Sequence, residues 1–149
     1  MTIGDTEPFY VGEFRHSMDS KNRVTIPAKW RFHGDEDDIY VAWAHPERYV
    51  AVYPPAKIQE FREKIRRIQE SDPRGQRILR QLFGKAFQFG CDRQGRIKLS
   101  DHLVEQAGLR KEVVLVGLGE TFNLWSGEGY ADQAQEAFDL LGAMREFGI

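Results

Sequence analysis

One polar motif, Asp-x-x-x-Arg, occurs twice in this chain, first as Asp19–Arg23 and again 73 residues later as Asp92–Arg96. In both copies a segment containing phenylalanine precedes the motif, and a branched aliphatic residue follows the arginine. A motif repeated together with its flanks indicates that each half of the chain builds the same turn. The fold must therefore place two related units within 149 residues.

Short strands are predicted around each motif. Loose alternation of apolar and polar residues on both sides of Asp19–Arg23 predicts a hairpin-like turn between two strands. Asn22 and Gly95 occupy the same position of the two turns, and both residue types tolerate positive φ. Each motif is then followed by a predicted strand pair: 39–43 with 49–53, and 113–117 with 122–125. These patterns predict an α+β protein of two repeats related by a pseudo-two-fold axis.

Helices are predicted directly after each motif and again after each strand pair. Pro27 can begin a short helix to Arg31, whereas Ser100 can cap a short helix that Gly108 ends. Longer amphipathic helices are predicted at 56–69, from Asp72 to about Phe83, and from about Tyr130 to Arg145. Their inward residues are expected to be Ile58, Phe61, Ile65 and Ile68, then Ile78, Leu79, Leu82 and Phe83, then Tyr130, Ala134, Phe138, Leu141 and Met144.

The two repeats are predicted to span residues 9–83 and 84–149. A core of that size is marginal on its own, so we expect the halves to pack on each other or on a partner chain.

The charge is distributed unevenly, although the formal net charge is only −2. Residues 13–31 carry five basic and two acidic side chains, and residues 92–98 carry three and one. Residues 57–85 carry nine basic and four acidic side chains, whereas 120–149 carry six acidic side chains and only Arg145. A further acidic run lies at Asp35–Asp38. A basic face and an acidic face on one particle are compatible with an anionic partner.

Several other classes of protein are disfavoured. The single Cys91 forms no intrachain disulfide, and the cysteine and four histidines show no zinc-ligand spacing, so no metal and no cofactor are expected. No uninterrupted apolar run approaches a membrane span, and residues 1–8 lack a signal-peptide pattern. A reducing cytoplasm is the expected location. Neither the histidines, including His33, nor Cys91 beside Asp92 form a convincing catalytic set, and Gly117-Leu118-Gly119 lacks a phosphate-loop continuation, so no enzymatic activity and no small-molecule ligand are predicted.

The repeated turn has two possible roles. The aspartate can accept hydrogen bonds from the turn or from the arginine four residues later, which stabilises a solvated turn and nothing more. Alternatively, a braced turn projects Lys21 and Arg23 from a rigid base, which suits phosphate or the guanine edge. Two such turns about one axis are suited to periodic sites on a duplex.

The order of residues resembles the MraZ family of bacterial transcriptional regulators. The resemblance covers residues from about Tyr10 to Phe138, and its motifs are 12–14, 16–29, 92–97, 107–117 and 122–125. It implies two fused AbrB-like (SpoVT/AbrB, swapped-hairpin) β units, each followed by helices. It also implies a ring-shaped homo-oligomer that binds direct repeats of double-stranded DNA upstream of the division and cell-wall gene cluster. Such a protein would commonly repress that cluster and itself, and would associate with the nucleoid.

The resemblance assigns DNA contact to the two turns and their flanks. The expected DNA-binding residues are Arg15, Lys21, Asn22, Arg23, Thr25, Lys29, Arg93, Arg96 and Lys98, with Asp19 and Asp92 supporting the loops. Three positions depart from the family pattern: Asn22 replaces a frequent Gly, Ser100 replaces a frequent Pro, and Gln94 leaves the second turn less basic. The first repeat is therefore expected to carry more of the DNA contact.

Two alternatives remain open at this point. The first keeps the AbrB-like fold but makes the protein an antitoxin whose C-terminal helix binds a toxin. The second concerns the basic segment Arg62–Arg67, which either contacts the DNA backbone or forms a solvated helix face or subunit contact.

Overall fold

A computed structural model of the chain describes residues 8–31 and 39–149. The acidic run Asp35–Asp38 and His33 lie outside these described residues, as do residues 1–7. The strands are β1 (Glu13–Ser17), β2 (Arg23–Thr25), β3 (Tyr40–His45), β4 (Tyr49–Tyr53), β5 (Phe87–Phe89), β6 (Arg96–Lys98), β7 (Glu112–Gly117) and β8 (Phe122–Ser126). The α-helices are α1 (Pro55–Ile65), α2 (Pro73–Leu82), α3 (Asp101–Ala107), α4 (Gly127–Ala134) and α5 (Leu140–Phe147), and Ala28–Trp30 forms a 3-10 helix.

The strands form a six-stranded antiparallel sheet in the order β1-β7-β8-β4-β3-β5 and a two-stranded ribbon of β2 and β6. The fold is therefore α+β, as predicted from the sequence. Strands β1, β3 and β4 of the first half correspond to β5, β7 and β8 of the second half. When each strand is replaced by its counterpart, the order is the same but is read from the opposite edge of the sheet. The central register shows the same relation, because Val50 pairs with Leu124 and Val52 with Phe122 on either side of the Ala51–Asn123 pair.

β1 and β2 do not pair with each other, so the prediction of a local hairpin at the first motif was wrong in its pairing, whereas at the second motif Cys91 forms an isolated antiparallel bridge with Ile97. β1 pairs with β7 and β2 pairs with β6, while β5 pairs with β3. The turn itself is tight, because the N–H of Asp19 donates to the carbonyl of Arg23 at 3.1 Å. The chain then diverges because the two strands belong to different sheets. Phe14 of β1 packs against the core from the large sheet, whereas Val24 of β2 is buried in the same core beneath the ribbon.

The main core lies between the inner face of the large sheet and a cover made of the ribbon, the 3-10 helix and α3. Trp30 and Phe122 are fully buried in it, with ring centroids 5.0 Å apart. The indole N–H of Trp30 donates to the carbonyl of Val11. A Trp buries a large apolar area and needs one polar partner, and both conditions are met here. Pro27, predicted to begin a helix, is the residue before this 3-10 turn.

The predicted short helix after the second motif is confirmed in detail. The Ser100 hydroxyl accepts a hydrogen bond from the N–H of Leu103, and Gly108 ends α3 in the left-handed conformation. Leu103 and Ala107 point into the main core. This helix therefore fixes the end of β6 against the large sheet.

The opposite face of the large sheet is covered by α1 and α2. Phe61 of α1 and Leu82 of α2 pack against a small cluster that includes Trp43. The α1 helix ends at Ile65, four residues earlier than the predicted Gln69. Within the described residues, α1 has no fully buried side chain.

Asp72 caps α2 as predicted, but Ile78 is 51% exposed where burial was expected.

The single predicted helix from Tyr130 to Arg145 is two helices. Ser126 caps α4 and Asp139 caps α5. The side chain of Asp139 accepts a hydrogen bond from the N–H of Gly142, so it begins a new helix at a position where the prediction had one helix continue. Tyr130 donates a hydrogen bond to Glu13, which fixes α4 to β1, and burial together with that carboxylate raises the pKa of Tyr130 to about 12. Ala134, Phe138 and Leu141 were predicted to be inward and are exposed.

In the described parts of the chain no helix has the length and apolar character that crossing a membrane requires.

Candidate nucleic-acid interface

The first turn is held by the carboxylate of Asp19. Its Oδ1 accepts hydrogen bonds from the N–H groups of Lys21 at 2.9 Å and Arg23 at 2.8 Å. Its Oδ2 accepts from Nε of Arg23 at 2.7 Å. Asn22 takes the left-handed conformation, with φ 60°, as predicted. A carboxylate that accepts three N–H groups holds both the loop and the direction of its arginine.

The second turn repeats this geometry. Oδ1 of Asp92 accepts from the N–H groups of Gln94 and Arg96, both at 2.9 Å, and Oδ2 accepts from Nε of Arg96 at 2.8 Å. Gly95 stands where Asn22 stands in the first turn, with φ 76°. The same physical cause, the N–H of the arginine bonded to the carboxylate, lowers the pKa of Asp19 and of Asp92 from the usual 3.8.

The two turns are joined through each other's backbone. The N–H of Ile26 donates to the carbonyl of Gly95 at 2.8 Å, and the N–H of Leu99 donates to the carbonyl of Asn22 at 2.9 Å. Between these bonds, β2 and β6 pair antiparallel with Val24 opposite Ile97. Each turn is therefore completed by the strand of the other half, and the two motifs form one ribbon.

The outward face of the ribbon is basic. Successive side chains on a strand point to opposite faces, so the burial of Val24 and Ile97 places their neighbours outward. These outward residues are Arg23, Thr25, Arg96 and Lys98, with Arg23 opposite Lys98 and Thr25 opposite Arg96. Because Asp19 and Asp92 pair with Arg23 and Arg96, Lys98 supplies the excess positive charge on this face, which favours an anionic ligand.

The tips of the turns add one basic side chain each, at different positions. Lys21 is the third residue of the first turn, and Arg93 is the second residue of the second turn. Both are exposed. Arg23 and Arg96 use Nε to reach their aspartates. Their guanidinium Nη groups make no hydrogen bond to the described residues and remain for a ligand.

The fold also brings Arg31 to the second turn, a residue absent from the sequence-based set. A Cβ built on Gly95 would lie 2.2 Å from Nη1 of Arg31, so the arginine side chain lies directly over this glycine. Arg31 follows Trp30, which is anchored in the core. Burial of that tryptophan could have been predicted, but the direction of the next residue depends on the angle between the 3-10 helix and the ribbon.

Two predicted DNA-binding residues lie apart from the ribbon. Arg15 lies on β1 and donates from Nη1 to Oε1 of Glu112 on β7 at 2.8 Å, which places its ion pair on the large sheet and not on the ribbon. Lys29 is exposed on the 3-10 helix that follows β2.

Asn22 uses its side-chain amide to donate to Oδ1 of Asp101 at 2.7 Å, which joins the first turn to α3.

The residues considered for other chemistry do not converge. Within 8–31 and 39–149 no group of three histidine, cysteine or acidic side chains is arranged to hold a metal ion. Cys91 is buried two residues after the end of β5, and His45 stacks on Tyr49 with ring centroids 4.4 Å apart.

Comparison with known proteins gives the family. A family model described as "MraZ protein, putative antitoxin-like" matches residues 82–142. A transcriptional regulator MraZ from Halothermothrix orenii is 35% identical over 144 residues, covering 94% of this chain and 99% of that protein. The chain belongs to the MraZ family. Proteins of the same name from Natranaerobius thermophilus and Carboxydothermus hydrogenoformans are 35% and 34% identical over 133 residues, and each match covers 87% of this chain and 92% of the relative.

The family match extends over both turns. The MraZ model includes the second turn, Asp92–Arg96. The Halothermothrix relative covers so much of the chain that both turns fall within the alignment. The resemblance stated from the sequence motifs is therefore confirmed at the level of the family.

Proposed function

We propose that this MraZ-family chain is a sequence-specific DNA-binding transcriptional regulator whose β2–β6 ribbon contacts the duplex. The observation that carries the proposal is the pairing of the two Asp-x-x-x-Arg turns into one ribbon with a basic outward face. A two-stranded ribbon fits the major groove of B-form DNA, where base edges are distinguishable. The regulatory role is supported by the name that the relatives carry.

The side chains divide by their geometry. Arg23 and Arg96 are fixed through Nε and present Nη groups, which suits a bidentate contact to guanine or phosphate. Lys21, Arg93 and Lys98 are exposed and less constrained, which suits phosphate contacts that set register. Arg31 supplements the second turn, where Gln94 supplies no charge. Asp19 and Asp92 support the loops and stay ionised, and Arg15 lies outside this surface.

The fold of each half is proposed to be AbrB-like, with hairpins exchanged between the halves. The cross-pairing of β2 with β6, and the reciprocal bonds from Ile26 and Leu99, support this interpretation. The proposed repeats span 9–83 and 84–149. They share one large sheet, because β4 pairs with β8 across the boundary between them.

One ribbon is a small footprint, so we propose that affinity comes from several copies in a ring. Each copy would contact one of a series of direct repeats, and later contacts would be effectively intramolecular. The proposed target is DNA upstream of the division and cell-wall gene cluster, with repression of that cluster and of the protein's own synthesis. A cytoplasmic, nucleoid-associated location follows from this function.

An antitoxin is the second candidate function. It is favoured by the exposed apolar residues of the C-terminal segment, which a toxin would cover, and by the antitoxin-like description of the matching family model. In this case a small toxin gene should lie beside the gene for this chain, and its product should bind the C-terminal segment. Co-purification of the two proteins separates the two candidates.

An electrophoretic shift with Arg23→Ala tests the proposal. The DNA upstream of the protein's own gene is compared with shuffled DNA at matched salt. Loss of one bidentate contact is expected to cost about 1–3 kcal/mol for each footprint. Because several footprints act together, the specific shift should disappear while the mass of the oligomer stays unchanged.

Arg15→Ala is the matched control, since Arg15 forms an ion pair as Arg23 does, but on the large sheet and not on the ribbon. It should bind DNA as the wild type does. If Arg23→Ala shifts the upstream DNA normally, or if Arg15→Ala is as defective as Arg23→Ala, the assignment of the ribbon fails.

A further inference from the structure

The last helix is well formed but has little to pack against. Its ends are satisfied, since Asp139 caps the start and Gly148 ends it in the left-handed conformation. Yet Leu140 is 59% exposed, Leu141 64% and Phe147 81%. An eight-residue helix is unstable alone in water, and apolar side chains gathered on one segment mark an interaction site.

A second, partly uncovered apolar face lies on α2. Ile78 is 51% exposed, and together with the half-buried Leu82 one turn later it lines a shallow groove of about 500 Å³. Arg74, Arg77 and Gln81 form the rim. The groove is therefore apolar in the middle and positive at its edge.

The two faces are complementary in charge as well as in polarity. The helical region 57–85 carries nine basic and four acidic side chains, a balance of +5, whereas 127–149 carries five acidic side chains and one arginine, a balance of −4. Asp139 and Glu146 lie at the two ends of α5, beside its apolar residues. Complementary potentials direct association and disfavour wrong partners.

We infer that α5 of one copy docks on the Ile78–Leu82 face of α2 in a second copy. The inference rests on the proposed assembly of several copies and names the surfaces that would form it. A second copy is the favoured occupant because this chain itself carries both the acidic apolar helix and its basic apolar groove. Nucleic acid is disfavoured on α5 by the acidic side chains around it.

The contact is heterologous, since α2 and α5 are different surfaces. Each copy uses α5 toward one neighbour and α2 toward the other, so the contacts propagate and form a ring when the rotation between successive copies closes. This contact leaves the β2–β6 ribbon of every copy uninvolved.

Two single variants and their mixture test the inference by light scattering after size exclusion. Ile78→Asp removes the groove and Leu141→Asp removes the helix face, and each protein alone should be monomeric at concentrations where the wild type is assembled. Burying a carboxylate at the centre of an interface should raise the apparent dissociation constant by about thirtyfold or more. Mixed together, the two variants retain one intact α5 and one intact α2, so they should form a one-to-one dimer and stop there.

Leu118→Asp is the control for an apolar-to-acidic change at a similar exposure, 55%, on the turn between β7 and β8. It should assemble as the wild type does. Circular dichroism confirms that each variant is folded. In addition, Arg77→Glu should weaken assembly, because it replaces a positive charge at the groove with an acid that repels the acidic C-terminal region.

A monomeric wild type, or wild-type mass in both single variants, overturns the inference, and so does a mixture that remains monomeric. These outcomes are distinguishable from failure of the DNA proposal. Arg23→Ala reports on the ribbon and leaves the mass unchanged, whereas the α2 and α5 variants report on mass. If the α2 and α5 variants are monomeric but Arg23→Ala binds DNA normally, the inferred interface is supported and the assignment of DNA binding to the ribbon fails.

Discussion

At the scale of single residues, each turn depends on one carboxylate. Asp19 accepts two backbone N–H groups and the Nε of Arg23, so the side chain that faces a ligand is held by the side chain that shapes the loop. Preorganisation of this kind reduces the entropy lost on binding. The same geometry at Asp92 shows that the bracing belongs to the motif and not to its surroundings.

Acidification should weaken this bracing. The pKa of Asp19 is lowered below its usual 3.8, chiefly by the hydrogen bond from the N–H of Arg23. The stability that the ionised carboxylate contributes is therefore fully present above pH 3.8 and is lost as the pH falls through the lowered pKa. Asp19→Asn should therefore reduce stability at neutral pH, and its difference from the wild type should shrink in strong acid. Urea unfolding over a pH series measures this. A difference that stays constant with pH would contradict it, and Asp92→Asn should behave alike.

Gly95 and Asn22 should respond differently to substitution, although both have positive φ. Gly95→Ala strains the left-handed backbone and forces the Arg31 side chain away, since the added Cβ would lie 2.2 Å from its Nη1. The backbone term alone should cost about 1–2 kcal/mol. Asn22→Gly adds no atoms, but it removes the hydrogen bond from the side-chain amide to Oδ1 of Asp101 at 2.7 Å, which should cost about 0.5–1.5 kcal/mol. Chemical denaturation measures both losses, and a loss at Gly95→Ala no larger than the backbone term would show that Arg31 does not restrict the site.

At the scale of elements, local features were predictable from the sequence and pairings were not. The turn conformations at Asn22 and Gly95, and the caps at Ser100 and Asp72, depend on a few neighbouring residues, and the structure has them as expected. The pairing of β2 with β6 joins residues far apart in sequence. Three-residue strands carry too little periodicity to specify a partner.

The C-terminal helices show a second limit of prediction. Apolar spacing from Tyr130 to Met144 predicted one continuous helix, but Asp139 caps a new helix within it. The spacing correctly marked an apolar segment, yet it gave no information on which molecule covers it. Arg31 was missed for a related reason, because its position depends on how the 3-10 helix packs.

The ribbon should depend on the packing beneath it. Ile97 is fully buried opposite Val24, so Ile97→Ala should cost about 2–5 kcal/mol, whereas Ile97→Val should cost about 0.5–1.5 kcal/mol. Thermal or urea unfolding gives both values. Because neither change alters the basic face, Ile97→Val should retain DNA affinity, and a strong loss of binding in that variant would argue against a purely structural role for Ile97.

At the scale of the whole molecule, a formal net charge of −2 hides the separation of a basic ribbon and helix pair from an acidic C-terminal region. Only the local field acts on a ligand at close range, because salt screens exposed charges beyond about 10 Å. The acidic region therefore need not prevent DNA binding by the ribbon.

Salt titration should reveal how many basic side chains of the protein neutralise DNA phosphates. Binding should weaken steeply with salt because neutralised phosphates release counterions, and Lys98→Ala should reduce the slope of log affinity against log salt by about 1 per subunit engaged. Its effect should be similar on specific and shuffled DNA. Fluorescence anisotropy over a salt series measures both slopes, with Arg15→Ala as a variant that should keep the wild-type slope.

The ribbon is symmetric in its backbone but not in its side chains. Lys21 stands third in one turn, Arg93 stands second in the other, and Arg31 accompanies only the second. A duplex lying along the ribbon therefore meets different chemistry according to which end comes first. A subunit of this kind has a reading direction, and it distinguishes a site from its inverse even though its two halves share one architecture.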